Sequence, residues 1–282
     1  GYWADDYSNI SAFPASVNDH NVSFTDGTNF TTIFDKDGTT WGFTGGTGDD
    51  VVNMMWGNGN MGVTFGLGMT PEITAEDVAA GDATAVAEAE TAINLGVGMP
   101  LAGGDFGFTY GMGCDDCGGG SIGVNLRRAQ SVWVWDNMLV NFSNISDDTE
   151  TQNDESAMDL DVGLYSNTDH GNGTSSLFGV AFNYGSAGDD NMMGITWNFG
   201  VESAMTDWAT LRVGYSHAYD LQEGGVDGDS NGFHAGLGFN YGSFTLDMVL
   251  LNANSMLNDP VKYVTGRNDN ALGAGWTISY NW

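Results

Sequence analysis

The chain is poor in positive charge, in proline and in cysteine, and it lacks any long apolar run. Lys and Arg number 6 against 37 Asp and Glu, a formal net charge of −31. Phosphate binding needs a basic surface, so nucleic acid is excluded as a partner. Proline contributes only 4 residues while glycine contributes 43. So much glycine points to disorder in a polar chain, but aromatics at 12 % and clear alternation argue against that. No stretch reaches the roughly 18 consecutive apolar residues that a transmembrane helix needs. A membrane protein is still open, because barrel strands give a far weaker signal per segment. The two cysteines, Cys114 and Cys117, stand in the run Cys-Asp-Asp-Cys-Gly-Gly-Gly. Zinc would need two more ligands, and no second Cys pair or close His pair is present. Redox motifs of this spacing open a helix, whereas this one sits between two alternating strands. A small disulfide in an oxidising compartment is the expectation, with a metal site or free thiols as alternatives. The opening Gly1-Tyr2-Trp3, without Met, leads to the expectation of a processed, exported chain.

What the sequence does have is alternation, clearest at residues 272–282. Leu272, Ala274, Trp276, Ile278, Tyr280 and Trp282 fall on one face of a strand. Gly273, Gly275, Thr277, Ser279 and Asn281 fall on the other. In water such a strand invites edge pairing. In a bilayer it has an apolar face for lipid and a polar face for a lumen. This ending resembles the C-terminal strand of Gram-negative outer-membrane β-barrels, porins among them, which alternates and closes on Phe or Trp. The resemblance implies that Trp276, Ile278, Tyr280 and Trp282 form the signal read by the barrel-assembly machinery. It implies a bacterial outer-membrane location, with membrane lipid and lipopolysaccharide as neighbours and a homo-oligomer, a trimer, as the assembly.

The pattern repeats upstream. Met61, Val63, Phe65, Leu67 and Met69 alternate with small residues, as do Phe106, Phe108, Tyr110 and Met112. The same holds for Phe178, Val180, Phe182 and Tyr184, and for Met193, Ile195, Trp197, Phe199 and Val201. Counted over residues 37–282, this predicts an all-β antiparallel up-and-down barrel of about 14 strands, within a range of about 12 to 16. Connections at 58–59, 100–104, 129–131, 203–207 and 242–243 are short. Those at 70–90, 114–119, 144–156, 186–191, 220–230 and 253–270 are mostly long and acidic, and barrels of this class show that asymmetry. The misfit is 167–175, long for a turn on the short side. Residues 1–36 alternate poorly and read as an N-terminal extension or plug, with candidate short strands at 21–25 and 29–34. A soluble sandwich fits worse: the polar face is Gly, Thr, Asn and Ser with almost no Lys or Glu, unlike a solvated surface.

Charge on the lumen parity is sparse: Arg127, Arg212, Asp159, Asp161, Asp247 and His234. Such groups either pair or line an aqueous route. Asp227, Asp229 and Asn231 match the start of an EF-hand loop, with Gly232 sixth, but Gly238 stands where the bidentate Glu belongs. A simpler calcium site in the outer loops is the cofactor expectation for this stretch; no cofactor is required. His20, His170, His217 and His234 form no evident Ser/His/Asp grouping, so no enzyme is expected. Outer-loop acids such as Asp147, Asp148, Glu150, Asp154, Glu155, Asp189, Asp190 and Glu223 would draw cations to a pore mouth. The expectation is a passive channel that prefers cations, with residues 71–90 as the inward-folding constriction. The alternative is a structural or surface-interaction barrel with a blocked lumen.

Overall fold

Alternating residues put one apolar and one small polar face on each strand, and such a sheet has two ways to hide its edges: pair them or close. Here it closes. A computed structural model describes residues 2–3, 6–46, 50–74, 89–112, 120–146, 157–187, 190–222, 230–252 and 275–282. The strands are β1 Val22–Thr25, β2 Asn29–Lys36, β3 Thr39–Gly46, β4 Asp50–Gly57, β5 Gly62–Thr70 and β6 Glu90–Leu101. Then come β7 Gly104–Met112, β8 Gly120–Val132, β9 Trp135–Ser146, β10 Ala157–Gly171 and β11 Thr174–Ala187. The last are β12 Asp190–Thr206, β13 Ala209–Asp220, β14 Ser230–Tyr241, β15 Phe244–Asn252 and β16 Gly275–Asn281. Each pairs antiparallel with its sequence neighbours, and β1 pairs with β16 to complete the barrel. Closure satisfies both edges, so among the described residues no unpaired strand is left to template aggregation.

The barrel therefore has 16 strands rather than about 14. The two extra are β1 and β2, which lie within residues 1–36. They alternate poorly for a physical reason. Val22 and Ile33 face inward and are buried, and they pair in register. Outward, Phe30 and Phe34 flank a polar pair, Ser23 and Thr32, whose hydroxyls hydrogen-bond at 2.7 Å. The barrel wall thus begins at Val22, and the two 3-10 helices that precede it, Tyr7–Ser11 and Pro14–Asp19, sit inside.

Seven connections at one end are tight. Asp37-Gly38, Ala102-Gly103 and Asn172-Gly173 each carry positive φ at both residues, the twist that suits a two-residue hairpin. The turn at 172–173 removes the misfit at 167–175, because β10 runs on to Gly171 and β11 resumes at Thr174. The turn expected at 129–131 is displaced: β8 continues through a register shift to Val132 and turns at Trp133 and Val134. Trp133 takes φ 55 there and is 94 % exposed. No Gly, Asn or Asp marks that turn, so residue type gives it no signal. Residues 75–88, 113–119, 147–156, 223–229 and 253–274, on which most of the expected long acidic connections fall, lie outside the described residues.

Apolar side chains at outward positions remain exposed; Phe108, Phe178, Phe182, Ile195 and Phe199 are examples. Removing residues 1–21 should leave every strand in place, whereas removing 1–36 takes β1 and β2 and opens the sheet. The first deletion should still give a heat-modifiable barrel on a gel and the second should not. Equal mobility of the two would remove β1 and β2 from the wall.

Candidate functional site in the barrel lumen

The lumen at the short-turn end is occupied by the chain's own N-terminal segment. Two 3-10 helices, Tyr7–Ser11 and Pro14–Asp19, fold back on each other there. Asp6 starts the first, its carboxylate accepting from the Ser8 N–H at 2.8 Å. Pro14 opens the second, where its fixed φ costs nothing. The segment then meets the wall backbone to backbone. A Cβ at Gly62 would overlap the Pro14 carbonyl, one at Gly98 the Ala15 nitrogen, and one at Gly107 the Ala12 carbonyl. These glycines sit side by side in register on β5, β6 and β7. Side-chain amides tie the rest. Asn18 donates to the Met61 carbonyl at 3.1 Å and accepts from the Gly59 N–H at 2.8 Å. Asn125 donates to the Ala12 carbonyl at 3.2 Å, and Asn167 to the Tyr2 carbonyl at 3.1 Å.

Two apolar clusters lie between segment and wall. Phe13 is buried with Leu139, Tyr165 and Leu177, and Tyr2, Trp3 and Ala12 pack around them. Ile10 and Val17 are buried with Ile33, beside Tyr7 and Met55. Full burial of such a side chain stabilises by about 1.5–3 kcal/mol, so Phe13 and Val17 anchor the segment. Burial pushes the Tyr2 and Tyr7 hydroxyls above their ordinary pKa. Asp161 adds to this at Tyr2, and Asp6 and Asp247 add to it at Tyr7.

The lumen charges form two networks. Arg127 is 5 % exposed. It donates from Nη2 and Nε to Asp105 Oδ2 at 2.8 and 3.0 Å, and its guanidinium lies 4.8 Å from the Phe13 ring centre. Arg212 donates to Glu202 at 2.7 Å and also pairs with Asp247. Glu202, Arg212 and Asp247 sit on β12, β13 and β15, so the second pair must cross β14. It crosses at Gly238, where a Cβ would sit 2.9 Å from both Arg212 Nη1 and Asp247 Oδ1. His234, Arg212, Asp247 and Trp3 line a cavity of about 420 Å3. Asp159 and Asp161 border two more, of about 240 and 300 Å3. Asp161 accepts from Asn183 at 2.6 Å, and Asn183 in turn accepts from Thr196 at 2.7 Å. Among the described residues no basic group pairs with Asp159 or Asp161.

Cys114, Cys117, Asp227 and Asp229 lie outside the described residues, as do most of the outer-loop acids and residues 75–88. Asn231 pairs with His217 in the ladder near the start of β14. Trp276, Ile278 and Tyr280 share the outward face of β16, and the Trp282 N–H donates to the Asn21 carbonyl at 3.2 Å. His170 shares a 2.7 Å hydrogen bond with Ser176. Among the described residues no carboxylate orients that ring. Sequence reasoning missed the residues that hold the segment: Phe13, Val17, Met55, Leu139, Tyr165 and Leu177. A signal was present, because Met55, Leu139 and Leu177 are apolar on the lumen parity. It also missed Asp105 and Glu202, which stand directly across the ladder from Arg127 and Arg212.

No family model and no curated protein matches the chain. Among solved structures it is similar to the translocator domain of autotransporter NalP from Neisseria meningitidis. The identity is 10 %, the TM-score 0.30, and the match covers 93 % of this chain and 85 % of that one.

Gly238→Val should cost about 1–3 kcal/mol through overpacking against the ion pair. The loss should shrink in an Asp247→Ala background, where the carboxylate that the Val side chain would meet is gone. Urea unfolding of the four proteins of that cycle checks it; a penalty unchanged in the second background would mean that the side chain meets something other than the pair.

Proposed function

We propose that the chain is an outer-membrane channel that passes small solutes, with a preference for cations, through a lumen narrowed by residues 2–19. A closed antiparallel barrel is one of two architectures that leave no backbone group unpaired in hydrocarbon. Its outward Phe, Ile, Leu, Val and Met suit lipid, and Gly, Thr, Asn and Ser line the interior. Sixteen strands enclose more space than side chains alone fill. We place membrane lipid and lipopolysaccharide around it, propose the outward face of β16 as the part read during assembly, and propose a homotrimer as the assembled form. No catalytic role is proposed.

The observation that carries cation preference is the state of the lumen charges. Arg127 and Arg212 are both taken up by Asp105, Glu202 and Asp247. Asp159 and Asp161 face open cavities. Five acids against two arginines leave a negative lumen, and low-dielectric walls focus that field. Calcium in the outer loops remains a secondary proposal, resting on Asp227, Asp229 and Asn231. The second reading, a structural barrel with a blocked lumen, is favoured by the reach of the segment. It touches β5–β7 through Pro14, Ala15 and Ala12, β10 through Tyr2, and β1 through the Tyr7–Phe24 ring pair.

In planar bilayers the full chain should conduct weakly and reverse toward the cation potential under a KCl gradient. Deleting residues 1–21 should raise unit conductance several-fold. The preference should fade as salt rises, because screening shortens from about 10 Å at 0.1 M to about 3 Å at 1 M. Asp159→Asn with Asp161→Asn should weaken it at low salt. Anion preference would sink the charge argument, and silence of both the full chain and the deletion would establish the blocked reading.

The lipid-facing assignment has its own test. Phe182→Arg should cost about 2–4 kcal/mol and impair membrane insertion. Asn183→Arg, beside Asp161, should insert normally. The reverse result would turn the faces inside out.

A further inference from the structure

We propose that the lumen holds a binding site for an uncharged, polyhydroxylated solute, a saccharide or polyol, between residues 7–11 and the wall formed by β2 to β8. The inference rests on the channel reading and names a solute class for it. The cavity measures about 620 Å3, within the range of about 300–1,000 Å3 usual for small-molecule sites. It differs in kind from the other three. Each of those is lined by at least one aspartate, whereas no charged residue is among the described residues lining this one.

Its wall is an array of hydroxyls and amides spaced by glycine. Thr44, Asn53, Gly66, Asn94, Gly111 and Ser121 follow one another across the strands in a single register row. Thr64, Gly96, Thr109 and Gly123 form the row beside it. The glycines keep the polar side chains apart and the wall concave. A Cβ at Gly66 would lie 2.7 Å from Asn53 Oδ1 and 3.4 Å from Asn94 Cβ. Among the described residues the side chains of Thr64, Asn94, Thr109 and Ser121 make no hydrogen bond within the protein, so their donors and acceptors are available to a solute. Opposite them Tyr7 and Phe24 stack with ring centres 4.2 Å apart and border the same space.

This combination selects by elimination. A charged solute would find dipoles but no counter-charge among the described lining residues, and burying a charge without a direct partner is unfavourable. An apolar solute would leave four polar groups unpaired where it displaces their water. A saccharide carries many hydroxyls to match the wall and has C–H faces, weakly positive at hydrogen, that pack on the negative face of an aromatic ring. Carboxamide and hydroxyl side chains both donate and accept, so they suit hydroxyls presented in either sense.

Calorimetric titration of the detergent-solubilised full chain tests this, because binding there needs no open pore. Sucrose is the probe, glucose 6-phosphate its charged counterpart, and polyethylene glycol of similar mass the size control. Sucrose should bind saturably, at least tenfold more tightly than glucose 6-phosphate, and the glycol should give no saturable heat. Asn94→Leu should weaken sucrose about tenfold, and Gly66→Val, which fills the space, should abolish it. Heat-modifiable gel mobility verifies that both variants fold. Absence of sucrose binding, equal binding of the glycol, or unchanged binding in Gly66→Val overturns the site. The two readings fail separately: sucrose binding without conductance keeps the site and removes the channel, whereas conductance without binding removes the site and keeps the channel.

Discussion

The interior depends on one contact, the packing of peptide backbone against peptide backbone where residues 12–15 meet the glycines of β5, β6 and β7. Side chains normally hold a strand wall and a lumen segment a full residue's width apart. With Gly62, Gly98 and Gly107 that spacing disappears. The closeness sets the rest. It brings Phe13 among Leu139, Tyr165 and Leu177, and puts the Arg127 guanidinium against the Phe13 ring. It also leaves Ile10 and Val17 over Ile33 rather than in open lumen. A single methyl group on any of the three glycines would push against main chain, which has no rotamer to yield with.

The same contact explains where the sequence was legible and where it was not. From β3 onward the period of two stands out because the outward face is apolar and the inward face small and polar. In β1 and β2 that opposition is blurred, although Phe30 and Phe34 still face outward. Val22 and Ile33 face protein inside the lumen, while Ser23 and Thr32 satisfy each other outside. An alternation rule assumes a polar interior, and it goes blind where the interior is itself a small core. The lumen parity of Arg127 and Arg212 could be read from position alone. Their partners could not, because Asp105 and Glu202 become neighbours only once register is known. The turn at Trp133 and Val134 was unreadable in another sense: tertiary pairing on both sides forces a tight connection on residues that do not favour one. The cavity bordered by Tyr7 and Phe24 was invisible too, since it needs the segment folded against the far wall.

The two arginines use charge differently. Arg127 is sealed against Phe13, and the loss of Asp105 would leave a buried cation short of its partner, an expensive state. Arg212 and both of its acids are partly open to the lumen. Pairs so exposed add little stability. Their effect is to fix where positive charge stands, on one side of the interior, while Asp159 and Asp161 look into a different part of it. The lumen is therefore patterned along its circumference: hydroxyls and amides over β2 to β8, with the Arg127–Asp105 pair on β7 and β8 beside Phe13, then acids, then the Arg212 network.

β1 is only four residues long, and it follows the second 3-10 helix after two residues. It is the strand that closes the barrel, and the lumen segment is spliced directly to it. A pull on that segment along the axis therefore loads the β1–β16 and β1–β2 ladders in shear, with four register pairs on each side to share the force. Shear stretches all those hydrogen bonds together, whereas peeling would break them singly. The N-terminal segment and the seam are in this sense one mechanical part, and tension on the first is carried by the second.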